Sequence, residues 1–251
     1  INDGIVPLKL SIGNITFHEV SKNDLIAKCT ELYAQSPGNS RVIAHSNKLV
    51  SDINTACQKA VNHSDKRLEF DLNGDQFFID YRVGDQILFT RNNYKEGYQN
   101  GTLGTLDSVA RRDDVLGTVI LDDGAEIAVY RETIDSMQLG YAITLHKAQG
   151  SQFPRIIVSV RGGGQVIATK RNGKRIRTGV VDRAWLYTAI TRAEHEIHIV
   201  GTEREFRNIV EGGSNAHHRN SFMLQLLKQG GVFNDCSRDG GLLSEARPTH
   251  L

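Results

Sequence analysis

Apolar and polar positions change rhythm three times along the chain. Residues 15–20 alternate as a half-buried strand does. After Ser21-Lys22-Asn23-Asp24, a capping-box-like start, Leu25, Ile26, Cys29, Leu32 and Tyr33 recur at helical spacing. Pro37-Gly38-Asn39-Ser40 is a turn, and residues 41–45 read as a buried strand. A helix from about Asn47 follows, with Leu49, Val50, Ile53, Ala56, Cys57 and Ala60 on its apolar face. This alternation predicts parallel strands with covering helices.

From about Leu68 to Met137 the period shortens to two. Strands are predicted at 76–81, 86–90, 104–110, 117–121 and 126–130, between turns such as Asn73-Gly74-Asp75, Asn100-Gly101 and Asp122-Asp123-Gly124. That pattern predicts a small antiparallel barrel. A helical rhythm then resumes at Gln138, so the barrel reads as an insertion into the α/β lobe. Leu139, Ala142, Ile143 and His146 predict a helix that ends at Gly150, with a strand over 155–160. Asp182 is placed to cap a helix running through Ala193, and 196–200 is a short strand.

Residues 161–178 form an excursion with Gly162-Gly163-Gly164 and a hairpin signal at Asn172-Gly173. It carries Arg161, Lys170, Arg171, Lys174, Arg175 and Arg177 and no acidic residue. Helices are predicted over 203–211 and 221–229, and the Gly-rich tail 230–251 is expected to be mobile. The resulting division is a discontinuous lobe over 1–66 and 135–229, an insertion over 67–134, and the tail.

Composition narrows the class. The 251 residues are 39% hydrophobic with a formal net charge of +1, as expected of a soluble globular chain. The balanced charge gives no global pull toward nucleic acid, so such binding has to come from local patches. No apolar run approaches the roughly 20 residues that cross a membrane. Cys29, Cys57 and Cys236 form no C-x-x-C pair and read as reduced thiols, so the protein is expected in the cytoplasm. The chain opens on Ile1, which reads as a trimmed fragment. No metal site is expected. Asp71-Leu72-Asn73-Gly74-Asp75 lacks the closing Glu of a calcium loop, and His195 and His198 fall on opposite sides of a strand.

Polar residues gather at two junctions where packing does not ask for them: Thr144, His146, Lys147, Gln149, Ser151 and Gln152, then Thr188, Thr191 and Arg192. The first stretch, HKAQGSQ, resembles motif V of superfamily-one helicases, and WLYTAITRAEHEIHIVG resembles their motif VI. The wording is closest to the RecD-like branch, which includes exonuclease V alpha subunits and the conjugative helicases TraA and TraI. The resemblance implies the second RecA-like lobe of a helicase, an α/β parallel-sheet fold, with an inserted barrel of the Src-homology-3 type that VGDQILFTRNNYKEGYQNGTLGTL would open.

The resemblance also implies roles. Arg192 corresponds to an arginine finger that reaches the γ-phosphate of ATP held by the other lobe, and a surface arginine at a helix end is the plain alternative. Gly150 and Gln152 match nucleotide-side positions, although relatives often carry Glu where Gln152 stands. Asn47, within AHSNKLVSDIN, loosely matches motif IV, which implies a cofactor-side role in positioning the adenine or the lobe interface, and equally well only starts a helix. Thr144, His146 and Lys147 correspond to residues that hold single-stranded DNA. His146 on an apolar helix face would instead be a core histidine. Asn92, Asn93 and Tyr94 have the composition of a groove that tracks phosphates and stacks bases, or of a solvated hairpin.

The sequence contains no G-x-x-x-x-G-K-[ST] and no Asp-Glu pair. It therefore reads as a helicase lobe that lacks the phosphate cradle and cannot hydrolyse ATP alone. ATP and Mg²⁺ are expected to be held mainly by a missing first lobe of the same protein, and neither is expected on this fragment by itself. The resemblance implies 5′ to 3′ movement on single-stranded DNA, with a nuclease or relaxase subunit or domain as further partner. The alternative is a non-catalytic, helicase-derived module for DNA binding or docking.

Overall fold

A computed structural model describes residues 5–6, 9–72, 75–112, 114–163, 166–169, 175–177 and 181–212. The helix predicted over 221–229, the tail, Cys236 and the Asn172-Gly173 turn lie outside these residues.

In chain order the first elements are β1 (Ile15–Glu19), α1 (Leu25–Gln35), β2 (Ser40–Ala44) and α2 (Asn47–Val61). There follow β3 (Arg67–Leu72), β4 (Asp75–Arg82), β5 (Gln86–Phe89), β6 (Leu103–Arg112), β7 (Val115–Leu121), β8 (Glu126–Val129), α3 (Arg131–Ile134) and β9 (Met137–Leu139). Next come β10 (Ala142–Thr144), β11 (Phe153–Ser159), β12 (Val166–Thr169), β13 (Arg175–Arg177), α4 (Arg183–Ile190), β14 (Ala193–Gly201) and α5 (Glu203–Glu211).

One sheet has the order β1-β14-β11-β2-β10, and every pairing in it is parallel. Helices cover both faces, as parallel strands require. Val42, Ala142 and Ile157 meet Leu32, Ile53 and Cys57 of α1 and α2 on one side. Ile43, Ile143, Ile156 and Ile199 meet Leu186, Ala189, Phe206 and Ile209 of α4 and α5 on the other. The α/β lobe predicted from sequence is thus present, built on a parallel sheet.

Helix starts follow their caps. Ser46 is the N-cap of α2 and its Oγ accepts from the Leu49 N–H at 3.3 Å, while the Asp182 carboxylate caps α4 through the Trp185 N–H at 2.8 Å. Replacing Ser46 with alanine is expected to cost about 1 kcal/mol, read as a lowered urea midpoint. At the start of α1, Ser21 Oγ accepts from the Asn23 and Asp24 N–H groups, and the N-cap, Asp24, makes no side-chain cap.

Between α2 and β10 lies a second sheet, β8-β7-β6-β5-β9, antiparallel throughout, with the hairpin β3–β4 beside it. Leu68 of the hairpin joins Ile87, Phe89, Leu106, Val119 and Ile127 in one core.

Two sequence expectations are corrected. Residues 138–150 do not form a helix: β9 and β10 occupy the first part and hydrogen-bonded turns the rest. Ala142 and Ile143 are both fully buried because β10 is covered on both faces, and so the alternation that marks a strand is missing. The second helix ends at Ile190 rather than Ala193, since Ala193 already pairs with Phe153 in the sheet.

A polar cluster lies on the α1 face at the β1 side of the sheet. His198 Nε2 is 2.9 Å from both Arg155 Nε and Glu196 Oε1, and His198 Nδ1 is 2.9 Å from His18 Nε2. Arg155 also binds Glu196 Oε2 at 2.9 Å and the Gln35 side chain at 3.1 Å. Burial, and for His18 the neighbouring His198, pushes both imidazoles below their ordinary pKa of 6.5. Both are therefore neutral in the folded protein at pH 7. As pH falls through 6.5 the unfolded chain takes up these protons first, so stability is complete above that value and is lost below it. Thermal melts should show a midpoint that falls between about pH 7 and pH 5, a window set by the His pKa, with less of a fall in His198→Gln. An unchanged midpoint across that range would contradict the assignment. His195, three residues before His198, is exposed and lies where β14 shifts register against β11, between Ala193 and Glu196.

Candidate functional site

The C-terminal ends of β2 and β10 open onto a polar groove of about 810 Å³. Three stretches line it: His45, Ser46 and Asn47 where β2 passes into α2; Thr144, His146, Lys147, Gln149, Gly150 and Ser151 in the turns after β10; and Gln99, Asn100, Gly101 and Thr102 from the loop after β5. None of these residues is acidic, and hydroxyl, amide, imidazole and ammonium groups face the space together.

Local hydrogen bonds set this geometry. The N–H groups of Lys147 and Ala148 return to the Thr144 carbonyl at 3.0 and 3.1 Å, folding the chain back directly after β10. Leu145 and Ala148 turn into the core, which leaves His146 exposed and Lys147 half-buried. His146 is therefore not the core histidine that a helical reading allowed. Lys147 Nζ donates to Gln138 Oε1 at 3.1 Å, and burial holds its ammonium below the usual lysine pKa. Gly150 closes the turn at φ +86°, a conformation that L side chains rarely adopt.

On the facing wall, Gly101 N–H donates to the Phe89 carbonyl at 2.8 Å, and a Cβ on Gly101 would lie 3.5 Å from the Lys147 carbonyl oxygen, so the walls come close there. At the groove's other end the ring of His45 packs under Gly162, whose added Cβ would lie 3.2 Å from its Cε1. Gly162 N–H is held by Glu205 at 3.2 Å. Burial and then the Arg161 charge push the His45 pKa down.

The structure thus brings Asn47, Thr144, His146, Lys147 and Gly150 into one groove. Gln152 is exposed outside it. Asn92 and Asn93 spend their side-chain oxygens on the Asn100 and Glu96 N–H groups, at 2.7 and 3.4 Å, within their own loop. Tyr94 is 73% exposed, away from the groove lining. His45, Ser46 and the 99–102 loop were not singled out from sequence. Asn100-Gly101 reads there only as a turn, and no pattern reports which turn faces which.

Arg192 lies beside the Ser151 end. Its backbone is fixed: Arg192 N–H donates to the Ala189 carbonyl at 3.1 Å, and its own carbonyl accepts from Phe153 N–H at 2.8 Å. The half-buried guanidinium makes long contacts to the Thr188 carbonyl (3.3 Å), the Ser151 carbonyl (3.4 Å) and Thr191 Oγ1 (3.4 Å). Among the described residues it has no carboxylate partner. Bonds this long are weak.

No protein-family profile matches the chain. Among curated proteins it is 30% identical over 138 residues to RecBCD enzyme subunit RecD of Mycolicibacterium smegmatis, covering 55% of this chain and 22% of that protein. It is 27% identical over 150 residues to the ATP-dependent RecD2 DNA helicase of Deinococcus radiodurans, covering 59% and 18%. Over about half of its length the chain is similar to RecD-like helicases. The conjugal transfer protein TraA of Rhizobium radiobacter is a further relative, 28% identical over 127 residues, with 50% of this chain and 10% of that protein covered. The chain therefore spans about a fifth or less of these three relatives. Among solved structures, the Pif1 helicase from Bacteroides in complex with ADP-AlF3 and ssDNA aligns with a TM-score of 0.48 at 20% identity, covering 85% of this chain and 51% of the Pif1 chain. Among the described residues no helix is long and apolar enough to cross a membrane, and no cluster of His, Cys, Asp or Glu could hold a metal ion.

Proposed function

We propose that the chain is the second motor lobe of an ATP-dependent DNA helicase, with the groove as part of its single-stranded DNA track. The observation that carries this reading is the groove lining: donors from three separate stretches and no carboxylate. Phosphate oxygens accept hydrogen bonds and are repelled by carboxylates, so this wall chemistry suits a nucleic-acid backbone. It offers few base-reading features, and binding is salt-dependent and tolerant of sequence. Asn47 then acts with Thr144, His146 and Lys147 on the strand, rather than on nucleotide.

Arg192 is the finger. Phosphoryl transfer spreads negative charge over equatorial oxygens, and a planar guanidinium that is not already neutralised can stabilise it. The sequence carries no phosphate cradle, so ATP and Mg²⁺ are held by a separate lobe, with Gly150 and Gln152 at the shared edge. On this reading the chain is inactive by itself, residues 67–134 are a Src-homology-3-like insertion, and movement runs 5′ to 3′. The lobe works in the cytoplasm, and a nuclease or relaxase subunit or domain is a compatible partner. The similarity to a RecBCD subunit and to an ATP-dependent DNA helicase supports the reading. The test is DNA-stimulated ATP turnover and strand separation by the full-length protein with Arg192→Ala and Lys147→Ala. Loss of turnover in the first and of DNA affinity in the second is expected, and two silent variants would remove the reading.

A further inference from the structure

Three buried polar side chains converge on residues 139–142, the link between the antiparallel sheet and β10. Asn54 of α2, 5% exposed, donates to the carbonyls of Leu139 at 2.8 Å and Ala142 at 3.1 Å and accepts from Ala142 N–H at 2.6 Å. Arg41 of β2, 3% exposed, donates to the Gly140 carbonyl and through both terminal nitrogens to Gln86 Oε1. Asp85, fully buried, accepts from Tyr141 Oη and Gln58 Nε2 at 2.6 Å each, from Arg82 N–H at 2.8 Å, and from Asn62 Nδ2.

A buried carboxylate satisfied wholly by neutral donors is costly to assemble, and apolar packing would join two sheets without it. What the polar groups add is direction. Five of these hydrogen bonds, three from Asn54 and one each from Arg41 and Asp85, fix atoms of the link, where apolar contact would let the link slide. Gly140 N–H to the Gln86 carbonyl, at 2.7 Å, completes the set. Two strands leave this point side by side in function. β5 begins at Gln86 and ends at Phe89, whose carbonyl holds Gly101 of one groove wall. β10 begins after Tyr141 and ends at Thr144, the first residue of the other wall.

We infer that Asp85, Arg41 and Asn54 are positioning residues that set one wall of the groove in register with the other, so that a single-stranded backbone meets both at once. This rests on the groove being the DNA track. None of the three lines the groove.

The test measures binding of an oligothymidylate to the full-length protein across a salt series. Tyr141→Phe deletes one bond to Asp85 and keeps the ring. It is expected to weaken binding about 5- to 10-fold at an unchanged salt slope, because the number of phosphate contacts stays the same. Lys147→Ala, a wall residue, is expected to reduce the slope by about one. Ile199→Val, equally buried on the α4–α5 face, is the control for lost packing and should leave both quantities alone. Arg41→Lys carries the same expectation as Tyr141→Phe and replaces it if that variant melts below the assay temperature. If Lys147→Ala weakens binding while Tyr141→Phe and Arg41→Lys do not, the positioning role is overturned and the track stands. A Tyr141→Phe slope that drops like that of Lys147→Ala also overturns it, since Tyr141 would then be a contact. If neither class of variant changes binding, the track itself is wrong and this inference falls with it.

Discussion

Arg192→Ala is expected to lower DNA-stimulated ATP turnover of the full-length protein by about 10³-fold or more, with affinity for single-stranded DNA nearly unchanged. A thousandfold corresponds to about 4 kcal/mol of transition-state stabilisation. The backbone of Arg192 is held on both sides by the turn from α4 into β14, while the guanidinium makes three contacts of 3.3 to 3.4 Å to neutral oxygens. A side chain so loosely engaged gives up little when it swings to an anion. Arg192→Lys keeps the charge and loses the planar fork, so it should recover a small part of the rate. Full turnover in the alanine variant would reduce Arg192 to an ordinary helix-end residue.

The largest effect on stability is expected from Asp85→Ala. Removing this carboxylate strands donors on Gln58, Asn62, Tyr141 and the Arg82 main chain in a space without solvent. At roughly 1–3 kcal/mol for each buried donor left unpaired, and with partial repacking, a net loss of about 3–5 kcal/mol follows. In a domain of this size that lowers the melting midpoint by about 6–20 °C. Asp85→Asn should fall between, since its amide nitrogen offers a donor where the neighbours are donors too. A melting curve of Asp85→Ala that matches the parent would mean the network carries no net energy.

Most of the architecture is legible because covered strands and one-sided helices leave separate periods. The apolar stripe of α2 is buried at Leu49, Val50, Ile53 and Cys57 as its spacing implies, while Ala56 is half-buried and Ala60 is exposed, and the 203–211 helix appears over the predicted residues. The period fails at β10, where Tyr141, Ala142 and Ile143 are buried in succession and a three-residue strand cannot be told from part of a helix. Thr144, His146 and Lys147 were legible as a polar cluster, yet their orientation depends on that strand, so the helical reading misplaced His146. The polar link was partly within reach: Asn54 interrupts an otherwise apolar face between Val50 and Cys57, which is a signal in itself. Asp85 and Arg41 give none, because Asp85 sits in a Gly-Asp turn like many others and Arg41 begins a strand.

The two sheets differ in how far apart along the chain their partners lie. Strands β6, β7 and β8 are neighbours in the sheet and consecutive in the chain, whereas Ile15 pairs with Ile197 and Glu19 with Gly201. Closing a short loop costs little entropy, and closing one of nearly the whole described length costs more and takes longer. The antiparallel sheet can therefore assemble as soon as it leaves the ribosome, while β1 must wait, unpaired, for β14 to be synthesised. During that wait its apolar residues Ile15 and Phe17 are open to other chains, a period in which association between unfinished chains competes with folding.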